Sequence, residues 1–129
     1  MLKYFNSSNL TSTPDLVPPS GYKWIILSGF LILTTSATAG TRYVNAGANL
    51  LDSGVIYALL NIPGSTGVST VYRSILTPYG TLPGLIGNLT LVTATPYVVL
   101  SEFDHITFAQ SLIAGDTFEY YFLVDEVPA

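Results

Sequence analysis

Thr117–Val127 reads T-F-E-Y-Y-F-L-V-D-E-V. Phe118, Tyr120, Phe122 and Val124 alternate with Glu119, Tyr121, Leu123 and Asp125. Successive side chains of a strand point to opposite faces, so this spacing makes one apolar face and one mixed face. Ala114-Gly115-Asp116, just before it, has the chemistry of a turn, with Asp116 read as a turn residue. The chain therefore closes on a half-buried strand.

Further back, residues 22–35 read Y-K-W-I-I-L-S-G-F-L-I-L-T-T and favour β-branched and aromatic types. The apolar run has about ten residues and is interrupted by Ser28-Gly29, whereas a spanning helix needs roughly 20. It reads as a buried strand with Trp24 in the core. No membrane span and no secretion signal are expected. Turn signals follow at Ser36–Gly40, Asp52–Gly54 and Pro63–Gly67. Between and after them, strands are expected at 41–51, 55–60, 68–76, 85–93, 96–103 and 106–109. Residues 46–60 are the best helical candidate, weakened by Gly47 and Gly54. Short strands with turns at regular spacing predict an all-β chain, an antiparallel β-sandwich of about eight strands. Residues 1–20 hold Pro14, Pro18 and Pro19 and lack a sustained apolar period. They are expected to form an extended N-terminal arm, with a single sandwich domain over 21–129.

Only 9% of the 129 residues are charged, against about 25% in an ordinary domain, although the apolar fraction is an average 49%. Small neutral polar residues replace the missing charge, and mean hydropathy is +0.49. Such a surface is poorly solvated, and neighbouring subunits would cover it. A Ser/Thr-coated soluble domain is the alternative. The net charge is −4, and Lys3, Lys23, Arg42 and Arg73 do not cluster, so nucleic-acid binding is not expected. The chain has no cysteine, which excludes disulfides and thiolate metal sites.

Catalytic chemistry finds little to work with. His105 is the single histidine, with Glu102 and Asp104 beside it. Adjacent strand residues diverge, and a metal needs three or more converging ligands. The cluster reads as a polar bend between two strands. The other carboxylates lack the spacing of a calcium loop. There is no Gly-x-Ser-x-Gly elbow, and Gly64-Ser65-Thr66-Gly67 lacks the lysine of a phosphate loop. No enzyme activity, catalytic residue, metal or cofactor is expected. Asn6-Ser7-Ser8, Asn9-Leu10-Thr11 and Asn88-Leu89-Thr90 match the glycosylation acceptor pattern, which matters only in a glycosylating host.

Nine tyrosines supply amphipathic area of the kind enriched at interfaces. Thr77–Gly84 holds two prolines and two glycines in eight residues and cannot continue a strand. Tyr79 and Leu82 on this loop are the candidate protein or glycan contacts. The alternative is that they fold back as a lid on the domain's own core.

Pro19 to Val44, with its G-Y-K-W opening and its T-S-A-T-A-G-T-R turn, and Ala114–Val127, with its Gly-Asp turn before the last strand, resemble small β-sandwich structural proteins of tailed phages and other viruses. The resemblance covers residues 19–127 loosely. It implies a jelly-roll or related sandwich in a virion, as a capsid, decoration or fibre component, with Arg42 and Asp116 as turn residues. It also implies a homo-oligomer, a trimer or pentamer by analogy, that contacts other virion proteins. A carbohydrate- or receptor-binding module is the alternative function.

Overall fold

The computed structural model describes residues 1–51, 55–77, 90–94 and 98–129. The described residues contain no helix. They form ten strands: β1 (Leu2–Leu10), β2 (Asp15–Leu16), β3 (Tyr22–Thr34), β4 (Arg42–Leu50), β5 (Val55–Ser65), β6 (Val71–Thr77), β7 (Thr90–Ala94), β8 (Val98–Leu100), β9 (His105–Ser111) and β10 (Thr117–Pro128). One sheet runs β1-β10-β3-β6-β7, with β8 also paired to β3, and the other runs β2-β9-β4-β5. All pairings are antiparallel except β6 with β7, which is parallel.

The antiparallel pairs are nested. β4 pairs with β5, β3 with β6, β2 with β9 and β1 with β10. That is one long hairpin rolled into two sheets, the jelly-roll arrangement of a β-sandwich. β7 and β8 lie between β6 and β9 in the chain and extend the first sheet.

This topology corrects the expected arm. Residues 1–20 are extended, but they are not separate from the domain. They supply β1, an edge strand in register with β10 from Leu2↔Asp125 to Leu10↔Phe118, and β2, which pairs with β9. The sequence lacks an apolar period there because β1 alternates exposed and half-buried positions at a sheet edge, where only Phe5 and Leu10 reach the core. A second correction concerns Pro63–Gly67, expected to break the chain. β5 continues to Ser65 because it is the outer strand of its sheet, where a proline forfeits no ladder bond. The register shift between Arg42↔Ser65 and Val44↔Ile62 absorbs Pro63-Gly64.

Ser28-Gly29 interrupts the apolar run of β3 for a geometric reason. Leu123 faces Ser28 and Val124 faces Ile26, so Leu27 is an extra residue, a β-bulge. The bulge flips the parity of the strand. Trp24 and Ile26 are buried before it, and Gly29, Leu31 and Leu33 after it. Both halves of the run thereby reach one core. Gly29 faces Phe122, and a Cβ at residue 29 would lie 2.8 Å from the Phe122 ring. A second bulge, between Ala46↔Leu60 and Gly47↔Ala58, lets the consecutive Leu59 and Leu60 both be buried.

Phe118, Tyr120, Phe122 and Val124 are all buried, as the alternation of the closing strand requires. Phe108 from the facing sheet packs its ring 5.1 Å from Tyr120. A buried aromatic of this size contributes about 1.5–3 kcal/mol relative to exposure.

Candidate functional site

The one histidine and its neighbouring carboxylates do not converge. Asp104 is buried and turns back on its own bend, accepting from the Ser101 N–H at 2.8 Å and the Leu51 N–H at 3.2 Å. Glu102 accepts from the Gly21 N–H at 2.6 Å. His105 donates from Nδ1 to Asp15, whose carboxylate oxygens lie at 2.9 and 3.0 Å. Three groups adjacent in sequence thus pin three different segments, and His105 serves to hold β2 on β9. Among the described residues no group of three or more His, Asp or Glu side chains could hold a metal ion. Tyr79 and Leu82, the expected contact residues, lie outside the described residues, as does the Asp52–Gly54 turn.

Arg42 and Asp116 do more than make turns. Both are fully buried, and Arg42 grips Asp116 through Nε and Nη2 at 2.9 and 3.1 Å. The remaining guanidinium N–H groups donate to the carbonyls of Thr38 at 2.8 Å and Gly40 at 2.9 Å. The Asp116 carboxylate also accepts from the Ser36 N–H at 2.7 Å and the Ile113 N–H at 2.8 Å. Gly115 precedes it at φ 90°, a conformation that favours glycine. Burial pushes the Asp116 carboxyl up, but the hydrogen bonds from Arg42, Ser36 and Ile113 outweigh it and hold it well below the usual carboxylate range. The hydrogen bond to Asp116 likewise raises Arg42. Among the described residues no buried side-chain polar atom lacks a partner. The pair closes one end of the sandwich by joining the β3–β4 and β9–β10 turns. It leaves no atom free for a ligand, so its role is structural. No spacing signal links residues 74 positions apart, which is why the sequence shows two turn residues and not a pair.

Another buried carboxylate fastens β1. Glu126 accepts from Lys3 Nζ at 2.7 Å and from the Trp24 indole at 2.9 Å, and these bonds lower its pKa. The chain's amino group donates to Asp125 and to the Glu126 carbonyl.

The outer face of the six-stranded sheet is the feature that the fold leaves unexplained. Strand parity sends Phe30 and Ile32 of β3, Tyr121 and Leu123 of β10, Ile75 of β6 and Tyr4 of β1 away from the core. Together they line an open groove of about 560 Å³. The rings interlock: Tyr121 lies 6.2 Å from Phe30, edge-on, and 6.0 Å from Tyr4. In a half-solvated sheet this face would be polar. Charged residues border it, among them Asp125, which follows Leu123 on the same face of β10 and pairs with the chain's amino group. Glu119 and Arg73 sit in register with Ile32 from either side. Glu119 accepts from the Tyr121 hydroxyl at 2.7 Å, which raises the tyrosine pKa. Arg73 makes no ion pair among the described residues. The mixed face of the closing strand was legible in the sequence, but its continuation across β3 and β6 depends on the bulge and on strand order.

No family model, no curated protein and no solved structure matches the chain.

Proposed function

We propose that this chain is a structural protein of a virus particle, acting by self-assembly and protein–protein contact through the outer face of its six-stranded sheet. The observation that carries the reading is that face: aromatic and aliphatic side chains stand where a solvated sheet would carry polar ones. Contiguous apolar patches rimmed by polar residues mark interaction surfaces. The low charge content supports the same reading, since a surface of this kind is stabilised by cover. The particle as the setting rests on the sequence resemblance to viral sandwich proteins. The jelly-roll arrangement agrees with it, being a topology that viral capsids share with lectins.

The test is incorporation. Phe30→Asp places a charge at the centre of the face, on a side chain that points away from the core. Purified particles assembled with this variant are expected to lack the chain, while the isolated protein keeps its wild-type circular dichroism. Incorporation at the wild-type copy number would contradict the reading.

A further inference from the structure

We infer that the outer face of the six-stranded sheet pairs with the same face of a second copy about a two-fold axis parallel to β3. The inference deepens the assembly reading and rests on it, naming the partner and the geometry.

The order of residues across the sheet supports this pairing. One row reads Glu119–Ile32–Arg73 and the next Tyr121–Phe30–Ile75, on β10, β3 and β6. β3 is central in both rows. Neighbouring strands lie about 4.8 Å apart, so the acid and the base stand roughly 10 Å apart with Ile32 midway. Rotation by a half-turn about an axis along β3, lying in the plane between two stacked sheets, exchanges left and right across the row and reverses the face. Ile32 then faces Ile32 of the second copy. Glu119 faces Arg73 of the second copy, and Arg73 faces its Glu119. The next row places Phe30 on Phe30 and Tyr121 on Ile75. Within these two rows every apolar group meets an apolar group, and Glu119 and Arg73 are paired, twice over. An isologous contact requires this self-complementarity.

Stacking the face on itself about the perpendicular axis does not have it. An axis in the same plane but perpendicular to the strands maps each strand onto itself, so Glu119 meets β10 of its mate and Arg73 meets β6. That leaves acid near acid and base near base, an arrangement that costs affinity. Packed sheets align within about 30° and about 10 Å apart, a gap that the glutamate and arginine side chains bridge. Among the described residues Arg73 lacks an ion-pair partner and Glu119 is held only by a tyrosine on its own strand. A two-fold contact of this kind leaves the sheet edges free, so it is compatible with a trimer or pentamer built on other surfaces.

Charge reversal tests it. Sedimentation equilibrium of the full chain is measured for the wild type, Glu119→Arg, Arg73→Glu and the double reversal, with thermal melts to confirm folding. Either single reversal sets like charges opposite each other and is expected to weaken dimerisation by about tenfold or more, as for about 1.4 kcal/mol. The double reversal restores it to within about threefold. A double variant as weak as the singles overturns the two-fold pairing. So does a wild type that stays monomeric at tens of micromolar. In that last case, loss of Phe30→Asp from particles would leave the assembly reading standing with a different partner. Its normal incorporation would remove both.

Discussion

The molecule has two arginine–carboxylate couples, and they are used in opposite ways. Arg42 and Asp116 are both fully buried, share two hydrogen bonds and spend every remaining polar atom on nearby backbone. Arg73 and Glu119 are partly exposed, lie on the outer face of the sheet and are held apart by the strand between them. The first couple is closed within one chain and stabilises it. In the two-fold pairing we infer, the second is completed by another chain. In a protein with four basic residues, each placement is informative: the charge that touches its counter-charge builds the fold, and the one kept from it points to a neighbour.

The largest effect that separates the two couples is on stability. Asp116→Asn leaves Arg42 buried without its counter-charge, and breaking a buried pair in this way costs about 3–5 kcal/mol. A fall in denaturation midpoint of that size is expected, whereas Glu119→Gln should stay within about 0.5 kcal/mol of the wild type, as for a surface change. Comparable losses for the two would erase the distinction.

The same couple sets the acid limit. Asp116 has a folded-state pKa held below its unfolded value of about 3.9. It binds its proton more readily when unfolded, so the stability it contributes is present above about pH 3.9 and is lost as pH falls through the folded value. Thermal melts from pH 7 to pH 2 should therefore show the wild-type advantage over Asp116→Asn narrowing only below about pH 4. A gap that narrows between pH 7 and pH 5 would assign it to another group.

Gly29→Ala is expected to be milder. The added Cβ meets the Phe122 ring from the facing strand, and overpacking of this kind costs about 1–3 kcal/mol. Guanidinium titration would read it. A neutral or stabilising result would mean that the ring moves freely and the bulge does not fix it.

The smallest effect is local. Glu126→Gln weakens the hold of Lys3 and Trp24 on β10, so amide exchange should accelerate over Leu2–Leu10 and stay unchanged in β4. Uniform acceleration would show that β1 opens only with the whole fold.

The all-β class and the inward face of β10 were legible because period-2 alternation records burial directly. The bend at Glu102–His105 was legible from composition. What could not be read was anything fixed by partners distant in sequence. Residues 1–20 read as an arm because edge strands bury little, and the place of β1 and β2 beside β10 and β9 is set by pairing across 90 residues or more. The parity flip at Leu27 hid the continuity between Phe30, Ile32 and Tyr121, since a regular strand would have sent one half of the run outward. The Arg42–Asp116 grip left only the trace of two turns. Tyr79 and Leu82 lie outside the described residues, and the apolar groove described above is built from residues that strand order brings together on a sheet.

Because the chain has no cysteine, a single one can report which face meets a neighbour. Thr34 is exposed on β3, on the same side as Phe30 and Ile32, and the two-fold brings it close to its mate. Asn61 is exposed on β5 of the other sheet. The decisive measurement is crosslinking of Thr34→Cys and Asn61→Cys with a short bis-maleimide at micromolar protein concentration. Contact through the outer face predicts a covalent dimer from Thr34→Cys and none from Asn61→Cys. Dimer from Asn61→Cys alone, or equal amounts from both, would contradict it.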